Sequence, residues 1–214
     1  MIKAKLGPDV PLALALPLRE GPWRIRLAAC VSNVASPPVV TSLGIWLAAT
    51  HLAPAGAWYW ALQEWALLVA IPAAYVGVQV LRGRISCLDV SIREQRTGPY
   101  RMAMVCAWLA FVGSWLEAVP PALTLFAGAA AVQIIVLSLI TRRWKISLHS
   151  AAMASFSVAA MAFTGLAGLP FLAGIPLVAW ARVRLGRHTF WQTVAGACAG
   201  GAIYAMALFA VHPG

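Results

Sequence analysis

Three short stretches gather most of the side chains in this sequence that could do chemistry. LRGRISCLDVSIREQRTGPYR, residues 81–101, carries Asp89, Arg93, Glu94 and Arg96. TRRWKISLHS, residues 141–150, carries Lys145, Ser147 and His149, and ARVRLGRHTFWQ, residues 181–192, carries Arg182, Arg187, His188 and Gln192. A guanidinium is a planar fork that holds two oxygens of one phosphate. Of two imidazoles at one place, one can attack phosphorus while the other protonates the departing oxygen. The set points to phosphoryl transfer without an obligatory metal. Either histidine alone would signify little, since a lone one at a helix end is more often structural.

The elements that must position these stretches are membrane helices. Of the 214 residues, 62% are hydrophobic and 10% charged, with a mean hydropathy of +0.81; a soluble domain carries about 25% charged residues. Runs free of Lys, Arg, Asp and Glu cover 27–63, 102–116, 118–141, 146–181 and 188–214, and roughly 20 apolar residues suffice to cross a bilayer. The apolar periodicity predicts helices over about 26–52, 57–82, 100–118, 121–141, 147–166, 168–182 and 189–211. Pro37 and Pro38 should kink the first. The sixth is short for a span, so 147–182 is either two crossings or one hairpin bent around GLAGLP. Six crossings remain if the first segment only lies on the surface. The expected fold is therefore an all-α polytopic bundle of six or seven transmembrane helices. Residues 1–25 form an amphipathic arm on the membrane, and 26–214 a single domain.

With seven helices, all 16 lysines and arginines fall on one face, which the orientation rule places in the cytoplasm, with the C-terminus outside. The net charge of +10 then acts as a local field for anionic headgroups and phosphate-bearing ligands. Topology alone would account for most of these residues individually. Nucleic acid is not an expected partner, because no domain presents the basic residues beyond the bilayer. Cys30, Cys87, Cys106 and Cys198 are scattered without metal-type spacing and read as packing residues. Glu64, inside the second apolar run, should face a protein or water-lined interior. Gly196 and Gly200, four apart, permit close helix contact.

The spacing of the three stretches resembles that of the type 2 phosphatidic acid phosphatase superfamily. The third motif of that family reads Ser-Arg, five residues, His, three residues, Asp; here Arg182, five residues, His188, three residues and Gln192 follow the same register. The second motif, Pro-Ser-Gly-His, is matched by ISLH with Ser147 and His149. The first, Lys, six residues, Arg-Pro, keeps Arg96 but has Asp89 at the lysine position and Thr97 at the proline. The likeness covers about residues 85–205. It implies His188 as a nucleophile forming a phosphohistidine, His149 as general acid, and Arg96, Arg182 and Ser147 as phosphate holders. Lys145 and Arg93 join the phosphate-binding set because a cation near Asp89 must offset its repulsion of phosphate.

Two departures matter. Gln192 replaces the acidic partner of the nucleophile; four residues on, its amide can reach the ring and fix a tautomer, but it adds no charge. Asp89 replaces a cation. Asp89 and Glu94 with a diphosphate could share Mg²⁺, but pairing of Asp89 with Arg93 at i, i+4 is the expected use of these charges, and no metal or cofactor is required.

The expectation is thus an integral membrane phosphatase for lipid or isoprenoid phosphates or diphosphates, in a bacterial or archaeal plasma membrane, with its site on the cytoplasmic face. Its partners are the membrane and a lipid or polyprenyl phosphate. The alternative is a non-catalytic member of the same fold that binds or moves an anionic lipid. An unrelated transporter has less support, since the ionisable residues avoid the bilayer midplane.

Overall fold

The computed structural model describes residues 23–51 and 57–209. Among them every regular element is helical. The arm expected over 1–25 lies outside the described residues up to position 22, as does the C-terminus placed outside the membrane. Helices α1 (Trp23–Val34) and α2 (Pro37–His51) meet at 43°. Pro37 and Pro38 lack the N–H that would continue the first helix, yet their fixed φ suits the opening turn of the second.

Helix α3 (Trp58–Leu81) has 24 residues and contains a π-helical turn at Ala66–Ala70. Pro72 follows after Ile71, and the widened turn accommodates its missing donor and bulky ring. Helix α4 (Thr97–Leu116) opens with Pro99 in its first turn, and α5 (Pro121–Thr141) starts on a proline. Helix α6 (Leu148–Thr164) is N-capped by Ser147, whose Oγ accepts from the Ser150 N–H. Helices α7 (Gly174–Arg184) and α8 (Phe190–Phe209) complete the chain.

Between α6 and α7 the backbone turns at Gly165, with φ of +61°, and returns as a 3-10 segment, Gly165–Ala173. Ser157 Oγ donates to the Phe171 carbonyl at 2.9 Å, and Arg182 returns beside His149. Residues 148–184 are therefore a hairpin with antiparallel legs. The α-helix expected over 168–182 begins only at Gly174, because Pro170 cannot donate within the ladder. Gly168 packs so closely on the backbone of Ala160 and Met161 that a Cβ has no room.

The central element is α6, LHSAAMASFSVAAMAFT, buried along most of its length. Its alanines and serines let neighbouring backbones approach from several sides, and α2, α7 and α8 all pack on it. One core joins Ile45, Leu123, Phe126, Ala159 and Tyr204; another, under the basic end, joins Tyr100, Leu137, Ile146 and Ala151. Polar side chains in the bundle pair across helices: Ser155 Oγ donates to Gln133 Oε1 at 2.6 Å, and Ser114 Oγ to Glu64 Oε1 at 3.1 Å. Glu64 is buried, as an ionisable group in an apolar span must be.

The outer surface is apolar, with Leu81, Leu116, Trp115 and Leu166 all more than two-thirds exposed. So many exposed apolar side chains suit a lipid surrounding. Among the described residues, three helical runs are long and apolar enough to cross a membrane: Trp58–Leu81, Pro121–Thr141 and Leu148–Arg184. A fourth is added if the bent pair from Trp23 to Thr50 counts as one. This is fewer than six or seven, in part because Leu148–Arg184 counts once while folding back on itself.

Candidate functional site

The site begins with the contact between α6 and α8. Gly196 lies against the Ser147 carbonyl and Gly200 against the Ala151 carbonyl, with no space for a Cβ at either position. The pairs advance together along both chains, so the helices are parallel and their N-termini share one end of the bundle. There the Ser147 N–H donates to the Gln192 carbonyl at 3.1 Å. His149 sits in the first turn of α6, and His188 lies two residues before α8. Two helix dipoles with their positive ends at this side favour an anion here.

The antiparallel leg α7 ends here with Arg182, whose side chain is only 2% exposed. It forms a two-pronged pair with Asp89, Nη1 to Oδ1 at 3.0 Å and Nη2 to Oδ2 at 2.8 Å. Nη1 also donates to Ser32 Oγ of α1 at 2.8 Å and lies 3.5 Å from His149 Nε2. His149 Nε2 is 3.6 Å from Asp89 Oδ1, and Arg187 Nε is 3.6 Å from Asp89 Oδ2. Burial works against the ionised carboxyl of Asp89, but Arg182, His149 and Arg187 together hold it below its ordinary range. Arg182 Nε remains buried without a partner.

His188 is buried, and its Nδ1 lies 3.1 Å from Gln192 Oε1. The same oxygen accepts from the Thr189 N–H at 3.1 Å, while the Gln192 N–H donates to Thr189 Oγ1 at 3.4 Å. This reciprocal pair is a capping box, Thr-x-x-Gln, at the start of α8. Because the Thr189 N–H needs an acceptor, the network assigns the amide oxygen to the side facing the ring. Nδ1 therefore carries the proton and Nε2 keeps its lone pair. Burial first, then the charges of Arg182, Arg96 and Lys145, push the His188 pKa down to about 3 against an ordinary 6.5. The imidazole is neutral at neutral pH, with Nε2 unprotonated.

The other predicted residues have different occupations. Ser147 is fully buried, and its hydroxyl serves as the N-cap of α6, so it is not turned to a ligand. Arg96 is a cross-brace: its Nε donates to the Val90 carbonyl at 2.9 Å and its Nη1 to the Ile146 carbonyl at 3.0 Å. Arg93 reaches the Arg143 carbonyl at 3.1 Å. It also pairs with exposed Glu94 at 3.2 Å, not with Asp89, because residues 82–92 are turns and not the helix that an i, i+4 pair requires. Asp89 and Glu94 thus face separate arginines rather than a common cation. Lys145 is half-buried, and burial, Arg96, Arg182 and Arg187 depress its pKa while Asp89 opposes them.

Sequence reasoning missed three participants, Ser32, Ser91 and Thr189. Ser32 carries no signal, being one of several serines in an apolar run. Arg187 donates to Ser91 Oγ at 2.5 Å, a contact no local pattern encodes. Thr189 was legible from the Thr-x-x-Gln spacing ahead of an apolar helix. No family model matches the chain, and neither do any curated protein or solved structure.

Proposed function

We propose that this protein is an integral membrane phosphatase that hydrolyses a lipid or isoprenoid phosphate or diphosphate. The observation carrying the reading is the pairing of His188 and Gln192 within the field of the arginine cluster: a neutral imidazole, its Nδ1–H spent on an amide oxygen, under the charges of Arg182, Arg96 and Lys145. In this reading His188 Nε2 attacks phosphorus, the bond to the leaving oxygen breaks, and that oxygen takes its proton from the imidazolium form of His149, which pairs with Asp89. Water then attacks the phosphohistidine, returning a proton to His149 and the bonding pair to His188. Arg182, Arg187 and Lys145 stabilise the charge on the transferring group, which is most of what phosphoryl transfer demands.

An apolar groove of about 350 Å³, lined by Pro176, Ala179, Trp180, Val183, Arg184 and Phe190, runs beside the same loop and suits a hydrocarbon tail under an anionic head. We read the bent α1–α2 pair, α3, α4, α5, the two legs of 148–184 and α8 as seven crossings, with the site at the cytoplasmic face by the basic bias of its loops. A binding or lipid-moving role is the second reading. It is favoured by Asp89 occupying Arg182 and by Gln192 lacking the charge of a catalytic acid.

The test is phosphate release from polyprenyl phosphates, diphosphates and phosphatidic acid by the wild type, His188→Ala and His149→Ala, each with and without chelator. Release that vanishes in His188→Ala is expected. Equal background in all three proteins would reject the enzyme in favour of the binding reading.

A further inference from the structure

Arg182 is the most enclosed cation of the cluster, and both its terminal nitrogens are engaged by a carboxylate from the protein itself. A carboxylate and a phosphate present oxygens to a guanidinium in the same planar, two-pronged way. The loop bearing Asp89 is held in place from both sides: Val90 adopts φ of +43°, a left-handed conformation unusual for a β-branched residue, and Arg96 grips its carbonyl at 2.9 Å. Arg187 and His149 Nε2 face the same carboxylate. We infer that Asp89 is an internal occupant of a phosphate seat, standing where two oxygens of a phosphoryl group would lie, so that phosphate enters by exchange with it. The class of ligand rests on the phosphatase reading; the exchange itself does not.

Exchange has a measurable consequence. If the seat is open only in the fraction of molecules whose Asp89 has left Arg182, the apparent affinity for phosphate is reduced by that fraction. Asp89→Asn keeps the shape and removes the competing charge. The experiment is titration of the full chain in a phosphorus-free maltoside detergent with inorganic phosphate, read by ³¹P line broadening. Asp89→Asn should bind about tenfold more tightly than the wild type or better, and adding Arg182→Gln should abolish the gain. Equal or weaker binding by Asp89→Asn, a gain that survives Arg182→Gln, or no binding by either protein overturns the inference.

A second measurement avoids any variant. The chain contains two aspartates, Asp9 and Asp89, so protein labelled with ¹³C at aspartate carboxyls gives two signals. Saturating phosphate should shift one of them, and phosphate that binds while shifting neither sinks the exchange. Micellar phosphatidic acid that competes with phosphate assigns the seat to a lipid headgroup, whereas failure to compete assigns it to the free ion; the exchange stands in both cases. Tight binding by Asp89→Asn with no ester hydrolysed would keep the exchange and reject the phosphatase.

Discussion

Gln192 performs two tasks with one oxygen. It closes the capping box of α8 and it holds the His188 proton on Nδ1. The second task was legible from the four-residue spacing, because such residues share a helix face. The direction of the amide was not, since it is decided by the Thr189 N–H, a backbone group invisible in a residue pattern. The arrangement predicts a particular response to Gln192→Asp. A carboxylate beside the ring favours the imidazolium, so it should stabilise the charge that develops in attack and raise phosphate release at pH 7 by about tenfold or more. The same charge raises the His188 pKa from its depressed value of about 3. As pH falls, the variant's nucleophile is therefore protonated sooner, and the acid limb of its pH–rate profile should move up by about one unit. A rate increase without that movement would place the effect away from His188. Asp89 was misread for a related reason: its neighbour at i+4 is Arg93, but the partner it meets is Arg182, 93 positions on. Tertiary contacts between loops are set by how the helices pack, which no local spacing records.

Helices were the most legible level. Apolar runs bounded by prolines and charges gave α2 to α6 and α8 within a few residues, and the proline pair marked the break between α1 and α2. The return leg after Gly165 was less legible, because an apolar run with internal glycine and proline fits a 3-10 segment as well as an α-helix. Gly200 touches the Ala151 carbonyl, whereas a Cβ on Gly201 would meet the Ala154 Cβ at an ordinary 3.8 Å. Gly200→Ala should therefore destabilise the fold by roughly 1–3 kcal/mol through overpacking, and Gly201→Ala should be tolerated. Thermal unfolding in detergent compares them; equal loss in both variants would contradict the tight α6–α8 contact. A shift along α8 would also move His188 relative to His149, so Gly200→Ala should lose hydrolytic rate faster than it loses folded protein.

At the scale of the molecule, the basic loops after α3, α5 and α7 are tied together by side chains. Arg93 holds the Arg143 carbonyl, Arg96 holds that of Ile146, and Arg182 holds Asp89. The convergence of three sequence-distant stretches is what the charge bias anticipated and what single-loop reasoning could not supply. Their side of the membrane has its own test. Leu88 is 57% exposed in the first loop, so Leu88→Cys in a chain stripped of its four cysteines should react with an impermeant maleimide only after cells are opened. Labelling of intact cells would reverse the orientation. The parallel packing of α6 and α8 carries a last consequence, one of parity. Two consecutive crossings point in opposite senses, so neighbours with the same sense need a third between them. In the seven-crossing reading, the short, partly 3-10 leg from Gly165 to Arg184 supplies that odd crossing. A chain lacking it would still hold enough grease to insert, but α8 would thread upside down and the two histidines would end up on opposite sides of the bilayer.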